Sequence, residues 1–274
     1  MLFIASCGGD GGGTATAPPP APPDGPSASE QLAEDLQGLP LDEFYAESFR
    51  ALITRSPETI VWEALESEFP LQDVALDDLD DGYQRETYSM YQVVLDSLSG
   101  YDRDALSAEQ QLDFDIYEYF LRDVVDERNF IYHDFRATFM NFSVQRRTER
   151  FFADIHPVAT RQDAEDYIAR LQLVDDKFGQ LIDHLNRQRD AGIVEPAVTV
   201  NVALNQVAAI ANSSTESNPY FFSFADKVRR IPGLDDADRA DLLERARAAI
   251  TSSVTPAYEG LRNQLRNLLN NAPP

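Results

Sequence analysis

The three histidines are the residues of this chain best suited to acid–base or metal chemistry. They stand at positions 133, 156 and 184, in separate parts of the sequence. A catalytic zinc uses about three protein ligands, and a His-Glu-x-x-His helix places two of them on one face. None of the three begins that motif, so no metal ligand is predicted. We expect His133 to pair with Asp134 among aromatic side chains and His156 to lie at a helix end, as possible cleft or structural residues.

An acidic run at 77–82 resembles the start of an EF-hand calcium loop, with Gly82 at the sixth position. Counting from Asp77, the third position is Leu79, where the loop needs an oxygen ligand. The twelfth is Tyr88, where it needs a bidentate glutamate. The run is therefore expected to be a solvated acidic loop.

Nucleophilic and cofactor-dependent chemistry have no matching pattern. The chain contains neither a Gly-x-Ser-x-Gly elbow nor a phosphate-binding or dinucleotide-binding glycine loop. Its single cysteine, Cys7, precedes a Gly- and Pro-rich stretch in which no base can be held against it. No residue is therefore predicted to be catalytic.

The charge balance bears on the class of partner. The 274 residues include 47 Asp and Glu against 23 Lys and Arg, a formal net charge of −24. Residues 73–127 alone hold 16 acids against three Arg and no Lys. Because nucleic-acid binding needs cations that displace counterions from phosphates, we expect no nucleic-acid partner.

The N-terminal residues have the layout of a bacterial lipoprotein. A short apolar run ends in small residues directly before Cys7 and resembles a lipobox, where the signal peptide is cut and the cysteine is lipidated. Residues 8–29 then hold six Gly and six Pro, a composition typical of a disordered leash. We expect a signal-peptide remnant at 1–6, lipidated Cys7 and a flexible tether at 7–37, and a helical domain at 38–272. With no Asp after Cys7, the expected location is the outer membrane, facing the periplasm.

Apolar residues recur at helical spacing from Leu39 onward, and strand-type alternation is scarce. The sequence therefore predicts an all-α fold, an elongated multi-helix domain of long amphipathic helices after the Gly/Pro-rich tether. The predicted helices span 41–53, 57–65, 83–98, 108–125, 160–185, 197–212, 220–230 and 236–270.

Local signals mark several helix ends. Ser56 before Pro57 is typical of an N-cap, and Ser107 with Gln110 three residues later forms a capping-box pattern. Thr160 is expected to cap the longest helix and Gly192 to follow its end. Pro256 should kink the last helix because it lacks an amide donor.

Several phrases, in order, resemble the N-terminal half of the bacterial family called domain of unknown function 885. The most specific is His156-Pro157-Val158 followed by the Asp-Ala-Glu-Asp-Tyr-Ile-Ala-Arg-Leu stretch at 163–171. The resemblance covers about Leu39 to Leu269. The other matching stretches are 48–52, 55–58, 106–110, 191–196 and 254–258.

This resemblance implies a helical zinc-metallopeptidase-like protein, often an exported lipoprotein. In the family the His-Glu-x-x-His zinc helix lies in the C-terminal half, and these 274 residues contain no such motif. Zinc is therefore expected only in that half and no cofactor in this chain. The segment from Phe135 to Arg150 departs from the family pattern, so any groove wall there is the part least supported by the resemblance.

Two functions from different classes follow. The chain is either the non-catalytic N-terminal part of a lipid-anchored metallopeptidase-like protein, supplying substrate-cleft walls, or a free-standing lipid-anchored helical binding module. The expected partners are the membrane, through the lipid on Cys7, and a peptide substrate or the C-terminal half.

Overall fold

The helical pattern of the sequence is present throughout the part of the chain that the structure describes. The structure is a computed structural model that describes residues 25–270 and 272. Within that range it is helical and contains no strand, which confirms the all-α prediction. None of the helices there is long and apolar enough to cross a membrane. The helices are α1 (Ala28–Asp35), α2 (Leu41–Ile53), α3 (Pro57–Trp62), α4 (Asp81–Leu98), α5 (Ala108–Glu127), α6 (Val144–Arg150), α7 (Arg161–Leu171), α8 (Val174–Asp190), α9 (Ala197–Ala211), α10 (Pro219–Arg229), α11 (Asp236–Ala249) and α12 (Thr255–Leu269).

Capping residues set several of these boundaries as the sequence predicts. At the start of α5 the Gln110 amide donates to Ser107 Oγ, and the Ser107 amide donates to Gln110 Oε1. Thr160 caps α7 through the same reciprocal pattern. Gly192 follows α8 with a φ of 78°, a left-handed conformation that glycine adopts without strain.

The N-terminal helices α1, α2, α4 and α5 pack around a small apolar core. Helix α1 belongs to it, although the sequence analysis placed residues 28–37 in the flexible tether. Leu32 and Leu36, one helical turn apart, are 3% and 2% exposed, and Ser27 forms a capping box with Glu30. The helical part of the described chain therefore begins at Ala28 rather than at 38. Burial of the two leucines supplies the free energy that orders these residues, although a Gly- and Pro-rich stretch precedes them.

The helices after residue 150 pack around a second, larger core, in which α12 lies against α8 and α9. A chain of hydrogen bonds between buried tyrosines crosses it. Tyr167 donates to the Tyr220 carbonyl, and the hydroxyls of Tyr220 and Tyr258 lie 2.8 Å apart. Tyr258 also donates to the Gln145 carbonyl over 2.9 Å. Each of these three tyrosine hydroxyls thus has a partner, as burial of a polar group generally requires.

The long helix predicted over 160–185 is two helices, α7 and α8. Its apolar stripe is buried as expected, but the backbone breaks at Gln172 and Leu173. A backbone amide in the first turn of α8 has its acceptor on another element, because the Asp175 amide donates to Ser253 Oγ over 3.0 Å. A tertiary contact therefore caps a helix start that the sequence pattern does not reveal.

The predicted interruption at Pro256 takes the form of a π turn over Ile250–Val254, which separates α11 from α12. Proline cannot donate to the carbonyl four residues earlier, so the preceding turn widens. A second π turn, Phe151–Ile155, ends at His156 just before Pro157 and leads out of α6.

Replacing Tyr258 with phenylalanine tests the tyrosine chain. Tyr258→Phe should lower the free energy of unfolding by about 1–2 kcal/mol, because the Tyr220 hydroxyl and the Gln145 carbonyl each lose a buried partner. Urea unfolding followed by circular dichroism measures the change. Tyr119→Phe is the matched control, since Tyr119 is 75% exposed, and it should have little effect. Equal losses in the two variants would contradict a stabilising role for this chain.

Candidate functional site

A cleft of about 400 Å³ opens where the two cores meet. On one side, Leu52 of α2 and Tyr91 of α4 belong to the N-terminal core; on the other, Leu79 and Val144 pack against the larger core. A cleft between two packed units that combines apolar walls with a few charged groups is the usual form of a binding site.

The floor of the cleft holds two carboxylates and a lysine from three separate segments. Glu58 of α3 forms an ion pair with Lys177 of α8, and these side chains are 3% and 5% exposed. The Glu58 amide donates to Asp77 Oδ1 over 3.0 Å, and the Asp77 amide donates to Glu58 Oε1 over 3.1 Å. Ser56 Oγ donates to the Asp77 carboxylate over 3.0 Å. These contacts join residues 56–58, residue 77 and α8 at one point.

The buried surroundings of Asp77 raise the pKa of its carboxyl group. Burial, and next the negative charge of Glu58, raise the pKa of Asp77 to about 6, against the lowering effect of Lys177. A carboxyl that titrates near neutral pH in a cleft can donate a hydrogen bond at mildly acidic pH and accept one above it. The charge of the cleft floor therefore changes as the pH passes through about 6.

Beside the floor, Arg55 is held rigidly in the wall. Its guanidinium lies 3.4 Å from the ring centre of Tyr83 and donates to the Tyr83 carbonyl and to Thr87 Oγ1. The Tyr83 hydroxyl donates back to the Arg55 carbonyl over 3.0 Å. Stacking combined with directed hydrogen bonds orders this arginine and joins the end of α2 to α4.

The opposite wall supplies two further cations. Arg136 lies with Nε 3.5 Å from Asp134 Oδ2, and its side chain is 11% exposed. Arg147 of α6 lies over the ring of Trp62 at 5.3 Å and also faces the cleft. In a chain with a net charge of −24, the cleft thus brings together cationic side chains that could meet a carboxylate or a carbonyl of a ligand.

His156 lies in the interior of the larger core. It is 2% exposed, stacks on Phe152 and packs edge-on against Tyr167. Nδ1 lies 2.8 Å from the Pro157 carbonyl, which can only accept, so Nδ1 carries the proton and Nε2 accepts from Arg170 Nη1 at 2.6 Å. Burial, and next the Arg170 charge, lower its pKa to about 3. His156 is therefore a neutral structural residue at the end of a π turn.

The structure places His133 and Asp134 side by side on the surface but does not pair them as expected. The His133 ring packs edge-on against Phe130 at 5.5 Å, while the carboxylate of Asp134 lies near Arg136. Arginine, with its permanent charge, is the stronger partner for a carboxylate. Of the predicted residues, only Asp134 lines the cleft, and Cys7 lies outside the described residues.

The residues present do not fit a zinc ion. Both ring nitrogens of His156 are occupied, and His184 of α8 is 4% exposed. No group of three or more His, Cys, Asp or Glu side chains within 25–270 is arranged to hold a metal. The cleft lining offers charged groups and hydrogen-bond donors that can orient a ligand.

Sequence reasoning missed the floor of the cleft. Lys177 falls between Val174 and Leu181 on the apolar stripe of α8, so it had to be buried, and a buried lysine needs a carboxylate. Nothing local identifies Glu58 or Asp77 as that partner. Asp77 belongs to the run expected to be solvated, but its carboxylate is drawn into the cluster.

The fold and the cleft define a helical protein with a polar cleft between two cores. Residues 64–274 match the family described as "Bacterial protein of unknown function (DUF885)". Since this match covers more than half of the chain, the chain belongs to that family, which confirms the resemblance found in the sequence.

One solved structure shares the fold over most of this chain. It is described as the crystal structure of the "putative lipoprotein" from Colwellia psychrerythraea, with a TM-score of 0.74 and 19% sequence identity. The match covers 90% of this chain and 42% of that protein, so the chain spans less than half of the length of its structural neighbour. No curated protein matches the chain.

The stability of the fold should depend on pH through Asp77. Its pKa is raised in the folded chain, so the native state binds this proton more tightly than the unfolded state does. The stabilisation from Asp77 is therefore complete below about pH 4 and is lost as the pH rises through about 6. Between these limits, the unfolding free energy of the wild type should fall relative to Asp77→Asn by roughly 1–3 kcal/mol.

Urea titrations at intervals across this pH range measure the difference between the two proteins. Asp176→Asn, which changes an exposed carboxylate beside Lys177 on the same helix, is the control and should keep the wild-type pH profile. Parallel profiles for the wild type and Asp77→Asn would show that Asp77 does not titrate in this window.

Proposed function

We propose that this chain is the non-catalytic, N-terminal helical part of a lipid-anchored envelope protein of the zinc-metallopeptidase-like kind, and that its cleft forms walls of the substrate site. The observation that carries this proposal is the cleft of about 400 Å³ between the two cores. It combines apolar walls with fixed cationic groups and a carboxylate floor, a set that suits the alternating side chains and carbonyls of a peptide.

The side chains that line the cleft support a peptide as the ligand. Tyr91 and Phe142 offer aromatic surface, and Phe142 is 61% exposed at the rim. Arg136 and Arg147 can donate to carbonyl or carboxylate oxygens. Volumes of this order accommodate a few residues of an extended chain, with the remainder of the peptide passing out through the open side.

Catalysis, in this proposal, depends on a zinc-bearing half that is not part of these 274 residues. The described residues do not fit zinc, and the solved lipoprotein is more than twice as long as the region it shares with this chain. This chain would then act by geometry, orienting a peptide against a metal that it does not hold.

The second candidate is a free-standing, lipid-anchored module that binds a partner or peptide in the envelope. The cleft needs no further chain to exist, which favours this alternative. Translating the DNA after the codon for Pro274 separates the two functions. A continuing frame with a His-Glu-x-x-His motif supports the first candidate, and a stop codon followed by an unrelated gene supports the second.

Loss of rim aromatic surface should weaken peptide binding. An equimolar pool of unstructured synthetic pentapeptides, observed by saturation-transfer NMR, should show contact with the wild-type chain. Phe142→Ser should reduce that signal several-fold, because the rim loses an exposed ring. Phe222→Ser, which removes a 70% exposed ring outside the cleft, is the matched control and should bind as the wild type does. Equal signals from all three proteins would place any peptide binding outside the cleft.

Lipidation of Cys7 would hold the protein at the membrane, in our proposal the outer membrane facing the periplasm. When a full signal peptide is supplied upstream, Cys7 should carry two or three acyl chains, enough for stable anchoring. A Cys7→Ser variant should leave the membrane fraction on cell fractionation. Mass spectrometry that finds a free thiol on the exported protein would contradict this part of the proposal.

A further inference from the structure

Helix α5 carries apolar side chains on two opposite faces. Phe114 and Leu121 face the N-terminal core, and both are nearly fully buried, as is Val125. Phe120 of the same helix is 46% exposed. It belongs to an outer group of large apolar side chains that nothing in the described structure covers. The members of this outer stripe are Leu112, Ile116, Tyr119 and Phe120, which are 60%, 59%, 75% and 46% exposed.

The spacing of the outer stripe is that of a helix-packing surface. Leu112, Ile116 and Tyr119 follow one another at intervals of four and three residues, so they lie in one row along two turns of α5, a length of about 11 Å, and Phe120 lies beside the end of this row. Two aromatic neighbours hold the Phe120 ring in place: it stacks on Tyr117 with ring centres 6.3 Å apart and packs edge-on against Tyr91 at 6.1 Å. The row is therefore a defined ridge of a kind that packs into the groove of another helix.

Carboxylates surround this ridge. Glu109 lies one turn before Leu112, and Asp123 lies one turn beyond Tyr119. Asp113 and Asp115 flank the ridge on its two sides, and all four residues are exposed. Asp115 is paired with Arg103 at 2.6 Å, whereas Asp113 and Asp123 have no ion-pair partner in the described part of the chain. An apolar ridge with an acidic rim is complementary to an apolar stripe with a basic rim.

This rim argues against other occupants. Two copies of the chain meeting through α5 would bring acidic rims together, and like charges across an interface are unfavourable. An anionic lipid surface would be repelled for the same reason. We propose that the outer face of α5 is a docking surface for a basic amphipathic helix of a partner protein, bound through its apolar stripe and oriented by lysines or arginines on both sides. This inference is independent of the cleft and of the proposed function.

The test measures binding of a synthetic helical peptide of about 18 residues, with leucines on one face and lysines on the other, to the full chain. Fluorescence anisotropy compares it with a scrambled peptide of the same composition, which has the same charge but no apolar face. The amphipathic peptide should bind at least about tenfold more tightly. Equal affinities for the two peptides would show only non-specific attraction to an acidic protein and would overturn the proposal.

Variants then locate the site. Leu112→Gln with Ile116→Gln should weaken binding about tenfold or more, and Asp113→Asn with Asp123→Asn should weaken it and reduce its dependence on salt. Val198→Gln with Phe222→Gln, which changes side chains that are 67% and 70% exposed elsewhere, is the control. Circular dichroism checks that each variant folds. Because all the changed positions are exposed, the spectra should match that of the wild type. Binding that is insensitive to the α5 changes, or a concentration-dependent dimer that the same changes abolish, would overturn the proposal.

Discussion

The buried ion pair between Glu58 and Lys177 is the contact on which the geometry of the cleft depends. Withdrawing both charges from water is unfavourable, and the pair persists only because each partner compensates the other and further hydrogen bonds surround them. Removing either partner would leave an uncompensated buried charge, a loss of roughly 3–5 kcal/mol. Because Glu58 follows α2 and Lys177 lies in α8, the pair links the N-terminal helices to the larger core at one fixed point.

The cleft exists because the two apolar cores do not merge. Each core can be buried by its own helices, so the surfaces between them need not be apolar, and charged side chains occupy them. Arg55 stacked on Tyr83 and the carboxylates around Lys177 fix two neighbouring parts of this junction. A binding site supported by rigid helices keeps its geometry without a ligand, which lowers the entropy lost on binding.

The chain belongs to the DUF885 family and shares its fold with part of a longer protein described as a putative lipoprotein. The cleft and the outer face of α5 are separate surfaces with different chemistry. One offers fixed cations and a titrating carboxylate, and the other an apolar ridge with an acidic rim.

The sequence by itself determined the all-α class, most helix positions and the caps at Ser107 and Thr160, because these depend on interactions within a few residues. It also led to the family. Only the tertiary structure decided that α1 joins the fold, that α7 and α8 separate where Ser253 caps the second helix, and that Lys177 meets Glu58, a residue far away in sequence. Such partners depend on which helices pack together, and the local pattern of charge and polarity does not specify that.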